Sequence, residues 1–515
     1  MSVTFAELVG LSLGLALLIG LGWALLALVA PDAAATTAEC WALAFLLGTG
    51  GVSLLLWWLS PLFALIPAVW SVTLAIFVIA VCALAVARRR SRVALRQAQD
   101  ERKKTVRGEP FDSIRSEPVE ERTSLRTRPV EPRIRCYEAS SRDRSAASRA
   151  LAAVLLAACG ALAIVALVTP LGWDGVLNFE LKARLAFLHH PSGTIPLRYF
   201  ADTSRAWSHP QYPLMLPLTE AWLYGWIGSP NQSALKLLFP LFYFSLMALF
   251  FAALRRHVSH TQALAGCVGF ALIPSFAIGP GGATTGYADV PLAAFVFGAV
   301  SYACSGLSQG RRPRQIILAA ILSGLAAWTK PEGVLLAGCL VVAVLAAFLL
   351  RVSAGSTDSA HWKRAVFALA LGPALVVIPW WVFQRQYGVS DTRDFLPFSA
   401  ANIEANYSRL PLIAGLIGHE LLRAGRWAAL WPAFVVATLV AGASLGRSRT
   451  GLLTMMVVGP LAIYAGTFTL SAWPNYRDHL ATALPRLLLP LAPMAWLATL
   501  LCLRDALHQP DPRAW

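Results

Sequence analysis

The stretch Gly172-Trp173-Asp174-Gly175-Val176-Leu177-Asn178-Phe179-Glu180-Leu181-Lys182-Ala183-Arg184 sets an Asp, a Glu, a Lys and an Arg at the exit of an apolar run, in a chain of which only 14% of residues are charged. Written as a helix from Asp174, it puts Asp174, Asn178 and Lys182 in one row, and Glu180 and Arg184 in a second row where they can pair. Leu177, Leu181, Leu185 and Leu188 make an apolar row suited to the bilayer surface. The segment reads as an interfacial helix presenting a carboxylate and cations to whatever meets the membrane face. The plainer alternative is that Asp174 caps the helix, a role Asp favours, while the cations meet lipid phosphates.

Further along, the same kinds of group recur at the mouths of apolar runs. Lys330 ends one run, where an ammonium is costly unless it is paired or reaches the interface; Glu332 is the partner at hand, and snorkelling is the other outlet. Asp289 stands beside Tyr287 at another mouth, where it could serve as a cap ahead of Pro291. His479 and Arg486 are seven apart and share a helix face, and Arg486 at a span entrance could equally meet a lipid phosphate. His209 and Tyr212 could be interfacial anchors, as most of the Trp residues would be, although Trp207 and Trp473 could stack on a sugar.

The elements that must position these groups are membrane helices. The chain has 515 residues, 57% of them hydrophobic, against about a quarter charged in a soluble protein. Apolar runs of about 18 to 24 residues mean a polytopic helical bundle. Period-two alternation, the mark of a β-barrel, is missing. Spans are expected near 8–30, 40–59, 62–87, 150–169, 236–254, 261–279, 288–307, 314–328, 332–350, 365–383, 427–445, 451–471 and 485–503. The scattered Cys residues form no CxxC or Cys/His cluster, so neither zinc nor a disulfide framework is indicated.

Net charge is +16, but residues 88–149 hold 18 Lys/Arg against 10 Asp/Glu, so half of the excess lies in one loop. The rest flanks spans, which is topological and implies no nucleic acid. With thirteen spans and an outside N-terminus, all six basic connections fall on the cytoplasmic side: 88–149, Arg255-Arg256, Arg311 to Arg314, Arg351 to Arg364, Arg447 to Arg449, and the tail 504–515. Segment 213–228, with its Pro, Glu, Trp and Tyr, is expected to be interfacial or re-entrant instead. Three long outer pieces follow: 170–235, 384–426 and 472–484. Loops of this length are usually functional or disordered, and the Trp, Tyr, His and Pro in these point to order and function. Loop 88–149, rich in Arg, Glu, Ser and Pro, is expected to be disordered, an insertion between a three-span unit (1–87) and the main body (150–503).

Five motifs then carry a family resemblance. Trp173-Asp174 with Asn178 and Leu181-Lys182-Ala183-Arg184 resembles the first outer loop of bacterial polytopic glycosyltransferases of the GT-C class, whose members include lipid A aminoarabinose transferases and protein O-mannosyltransferases. His209-Pro210-Gln211-Tyr212-Pro213 is similar to a segment that follows in that class, and Gly286-Tyr287-Ala288-Asp289-Val290-Pro291 to its second-loop motif. Thr329-Lys330-Pro331-Glu332-Gly333 resembles a conserved turn, and His479-Leu480-Ala481-Thr482-Ala483 with Arg486 the start of a late span. The motifs come in the family's order, and all fall outside in the topology drawn from charge alone.

The resemblance, over roughly 150–503, implies a GT-C-like all-α bundle and an inverting transfer of a sugar from a polyprenyl-phosphate donor to a hydroxyl on a glycan, lipid or protein. It implies Asp174 as general base, taking the proton of the acceptor hydroxyl. Cations near the leaving phosphate would stabilise its charge: Lys330, His479 and Arg486 are the candidates. Asn178, Lys182, Arg184, His209, Tyr212, Tyr287, Asp289 and Glu332 are expected around the substrates. Relatives carry two acids in the first loop; here Gly175 follows Asp174. A divalent ion usually needs more than one carboxylate, so metal-independent chemistry is expected. The implied place is the outer face of a bacterial inner membrane. A transporter or flippase is the rival, but it would put charges near the midplane and show internal repeats. A lipid-linked glycan polymerase or ligase would favour a large late outer loop.

Overall fold

The structure, a computed structural model, describes residues 3–34, 36–60, 68–107, 145–189, 194–308, 312–353, 359–442 and 449–507. Among the described residues every regular element is helical, apart from one isolated antiparallel bridge between Phe395 and Ser471. The main helices are α1 (Phe5–Val29), α2 (Thr37–Leu59), α3 (Ala68–Arg107), α4 (Ala146–Val168), α5 (Leu181–Leu188), α6 (Met215–Ile227), α7 (Leu238–Arg255), α8 (His260–Ala271), α9 (Asp289–Gly306), α10 (Pro313–Thr329), α11 (Pro331–Ser353), α12 (Ser359–Gln386), α13 (Leu410–Leu421), α14 (Leu430–Ala441), α15 (Arg449–Thr469), α16 (Tyr476–Leu488) and α17 (Ala492–Leu507). Nine of them, α1 to α4, α7, α9, α11, α12 and α15, are long and apolar enough to cross a membrane; α16 and α17 make a tenth if taken as one span bent by 53°. The protein is a multi-pass membrane protein.

Three of the thirteen expected spans fall short of that length. The run 261–279 is broken after Ala271, where Pro274 starts a separate turn. The run 427–445 is helical only over the 12 residues of α14. In α10 the cause is local: Pro331 pushes Lys330 into extended backbone (φ −159°, ψ 152°) and stops the helix at 17 residues. Glycine then lets the chain turn straight into α11, since a Cβ on Gly333 would sit 1.9 Å from the Ala326 carbonyl oxygen.

Backbone approach also sets the N-terminal packing. A Cβ on Gly22 would lie 1.7 Å from Ala44 O, and one on Gly48 would lie 2.0 Å from Leu18 O. Small residues at such crossings let membrane helices touch backbone to backbone. The central helix is α9, almost wholly buried, while α4 and α12 present most of their surface outward.

Two expectations change. Segment 213–228 does not lie on a surface, which removes the interfacial half of its expectation and leaves the re-entrant half: α6 is buried against α1 and α2, with Trp222 Nε1 donating to Gly14 O and Thr219 Oγ1 to Thr49 O, in the middle of α2. The other concerns loop 88–149. The α3 helix continues to Arg107, so 88–107 is helical, and 145–149 starts α4 behind its Ser145 cap; the disorder expected for 108–144 lies outside the described residues, as does 61–67.

Long-range polar contacts gather at two ends of the bundle. At one, Ser229 and Asn231 donate to Glu7, and the loops before α5 and α9 meet the α10–α11 turn and α16. At the other, Arg256 and Tyr302 hold Glu39, Arg314 holds Asp32, and His361 meets Gly306 O.

Candidate functional site

The site is built from four chain segments that meet at the first end. The loop ahead of α5 is pinned to the loop ahead of α9: Gly172 N donates to Thr285 O at 2.7 Å, and a Cβ on Gly175 would lie 2.6 Å from the same oxygen. A side chain has no room there, which is the physical reason why a glycine follows Asp174. Gly286, at φ 76°, turns the second loop so that Tyr287 comes to Asp174 and Asp289 opens α9.

The charges form one chain. Arg486 donates through Nη1 to Asp174 Oδ2 and through Nε to Asp289 Oδ2, the latter at 3.1 Å. Lys330 Nζ lies 2.8 Å from Asp289 Oδ1 and 3.1 Å from Glu332 Oε1. The Arg486 guanidinium lies 4.7 Å above the Tyr287 ring. Asp289 and Lys330 are 1% and 4% exposed, whereas Asp174, Glu332 and Arg486 keep 22%, 22% and 17%. Both capping alternatives fail. Asp174 has helical dihedrals and makes no cap hydrogen bond, and Asp289 lies inside the first turn of α9 with no cap hydrogen bond beside it. Lys330 takes both partners rather than snorkelling.

Tyr212 and His209 stand beside this chain. Tyr212 feels the charges of Glu332, Arg486 and Asp174, and burial pushes its phenol well up. His209 stacks on it at 4.5 Å, and burial holds the imidazole below its usual range. His209 is also in the left-handed region, at φ 49°.

The expected row of Asn178 and Lys182 goes elsewhere. The first turn, Gly175–Glu180, is a π-helix, and Asn178 and Lys182 point into the protein. Lys182 Nζ donates to the carbonyls of Asn178, Ser208 and His209 at 2.7, 3.0 and 2.8 Å, so its donors are spent on holding the loop that carries His209. Arg184 pairs with Glu180 at 2.7 Å, as its spacing predicts, and Tyr224 donates to the same carboxylate. These three residues position the site and do not line it. His479 is nested apart from the ion chain: it stacks on Trp473 at 4.5 Å, and its Nδ1 meets Ser471 Oγ.

Sequence reasoning missed three groups. Asp394 accepts from Trp473 Nε1 and Thr392 Oγ1, and its charge acts on both His209 and His479; its only signal is an acid-rich Asp391-Thr392-Arg393-Asp394 in an outer loop. Tyr464 OH is buried without a partner and feels Glu332 most strongly. Glu220 on α6 is fully buried with both carboxylate oxygens unpartnered. Among the described residues no group of three or more His, Cys, Asp or Glu is arranged to hold a metal ion.

Compared with protein-family models, curated proteins and solved structures, the chain matches none of them.

Proposed function

We propose that the protein is an inverting membrane glycosyltransferase, moving a sugar from a polyprenyl-phosphate donor to an acceptor hydroxyl at the outer face of a bacterial inner membrane, on a GT-C-like bundle. The observation that carries this reading is the linked chain Asp174–Arg486–Asp289–Lys330–Glu332, drawn from four separate segments to one end of the bundle. Thirteen passages, with the shorter helices crossing inside the bundle, are proposed with it. In support, the contacts of Glu7 with Ser229, Glu39 with Arg256, Asp32 with Arg314 and Gly306 with His361 each join residues that this topology puts on one side.

In the proposed reaction Asp174 takes the proton of the acceptor hydroxyl as its oxygen attacks the anomeric carbon. The bond from that carbon to the phosphate oxygen breaks, and the phosphate leaves with the electron pair. Arg486 and Lys330 are the cations that would stabilise the added charge. Tyr212 and His209 would wall the sugar.

The test is turnover of lipid-linked sugars in membranes carrying wild type or Asp174→Asn at matched levels of folded protein. A loss of about a hundredfold or more supports Asp174 as base. Undiminished transfer would reduce it to an ion-pair partner and turn attention to Asp394.

A transporter is the second reading, and Glu220 is the observation that favours it. An ionisable group within the bundle is a functional candidate by default, and this one packs level with the middle of α2. Proton-coupled uptake into vesicles that is lost in Glu220→Gln, with no sugar transfer by wild type, would establish it.

A further inference from the structure

The ion chain holds three carboxylates, Asp174, Asp289 and Glu332, against two cations, Arg486 and Lys330. Its formal charge is therefore negative, and an anionic ligand finds no unmatched positive charge in it. A phosphate can enter only where a carboxylate yields.

Exposure decides which one. Asp289 is buried and held by both cations. Glu332 is partly open, but the ammonium it touches is 4% exposed, out of reach of a bulky ligand. Arg486 and Asp174 are both partly exposed and meet through one pair of atoms. Asp174 Oδ1 and Arg486 Nη2 have no protein partner among the described residues, and neither is buried. Nη1 and Nη2 together form the guanidinium end that suits two oxygens of a phosphate; Asp174 occupies half of it.

We propose that Arg486 is an exchange site for the phosphate of a lipid: the phosphate takes the Nη1–Nη2 edge in place of Asp174 and releases Oδ2, so that both carboxylate oxygens are open to an acceptor hydroxyl. Asp289 stays on Nε and keeps the guanidinium over Tyr287. Asp174 Oδ1 is open from the start, while Oδ2 is held by Arg486 until the phosphate arrives, so the whole carboxylate faces the acceptor only once the donor is in place. The ligand's identity rests on the transferase reading; the exchange itself rests on the geometry.

The test is equilibrium binding of dodecyl methyl phosphate, a singly charged phosphodiester, to the purified full-length protein in uncharged detergent. Asp174→Asn keeps the shape of the side chain and removes the competing charge, so it should bind the probe about tenfold more tightly than wild type. Arg486→Lys, which lacks the two-pronged edge, should bind more weakly than wild type. A gain in Asp174→Asn beside a loss in Arg486→Lys is a pair of opposite changes that a general loss of folding does not produce. Equal or weaker binding by Asp174→Asn overturns the exchange. Inorganic phosphate is the second arm: if it binds as well as the lipid probe, the lipid assignment is overturned. The tenfold gain in Asp174→Asn, with no sugar transfer by wild type from any donor, would sink the transferase reading while the exchange stands.

Discussion

Arg486 Nε lies 3.1 Å from Asp289 Oδ2, while Lys330 Nζ lies 2.8 Å from the other oxygen of the same carboxylate. One buried acid thus serves two cations from different helices, one at the turn into α11 and one on α16. Removing it takes the nearer of two partners from Lys330, which keeps Glu332 at 3.1 Å, and one of two from Arg486, which keeps Asp174; a buried cation that loses a partner outright costs about 3–5 kcal/mol, the upper bound here. Asp289→Ala should therefore melt well below wild type in detergent. Asp289→Asn combined with Lys330→Met, which removes the more buried of the two cations, should recover part of the loss. A double variant no more stable than Asp289→Ala would mean that the cations are not what the acid holds.

Lys182 is 0% exposed, and its three carbonyl contacts bind the π-turn to the loop that ends in His209. In Lys182→Met those carbonyls lose their donor, at about 1–3 kcal/mol for each acceptor left unpaired in the interior. The expected outcome is faster proteolytic cleavage between Phe200 and Tyr212, with cleavage elsewhere unchanged. Cleavage that rises evenly over the chain would instead show general unfolding.

His209 unites a backbone demand with a charge demand. Its left-handed backbone suits Asn and excludes a β-branched residue, so His209→Val should lose about 1–2 kcal/mol while His209→Asn stays close to wild type. The pH dependence follows from burial, which holds the folded imidazole below the 6.5 of the free side chain. As the pH falls through 6.5 the unfolded chain takes up a proton before the folded one does. The contribution of the neutral ring is full above 6.5 and is lost as the pH falls through the lower folded value. Melting temperatures of wild type and His209→Asn, close at neutral pH, should accordingly separate on acidification, with wild type falling the more steeply.

Much of the site was legible because the cues are local. Pro331 fixes the break that leaves Lys330 at a helix mouth, and the one-sided Lys/Arg distribution marks the same bundle end for Asp174, Asp289 and Arg486. The Glu180–Arg184 pair followed from four-residue spacing alone. What failed was direction. A regular helix from Asp174 puts Asn178 and Lys182 on its row, but the π-turn rotates that row inward, and a turn with i→i+5 bonds leaves no periodic trace in one sequence. The burial of α6 was likewise hidden, because the aromatics that suit an interface suit the crevice between α1 and α2 equally well. Asp394 belongs to the site only through contacts across loops, which spacing does not encode.

Gly175 brings these strands together in one substitution. Many members of the resembled class carry two adjacent acids or a DxD at the matching place, and Gly175→Asp would add a second acid here. Here a Cβ at 175 meets Thr285 O at 2.6 Å and Gly286 O at 3.1 Å, both backbone atoms that cannot swing aside. The loop ahead of α5 would have to lift off the loop ahead of α9, taking Asp174 away from Arg486 and Tyr287. Overpacking of this kind costs about 1–3 kcal/mol. Gly175→Asp should lower the melting temperature, reduce lipid-linked sugar turnover and gain nothing from added divalent cations. Gly175→Ala, carrying the clash without the charge, should share most of the loss. A Gly175→Asp protein that melts like wild type and responds to a divalent ion would show that the two loops are not locked together as the Gly172 and Gly175 contacts require.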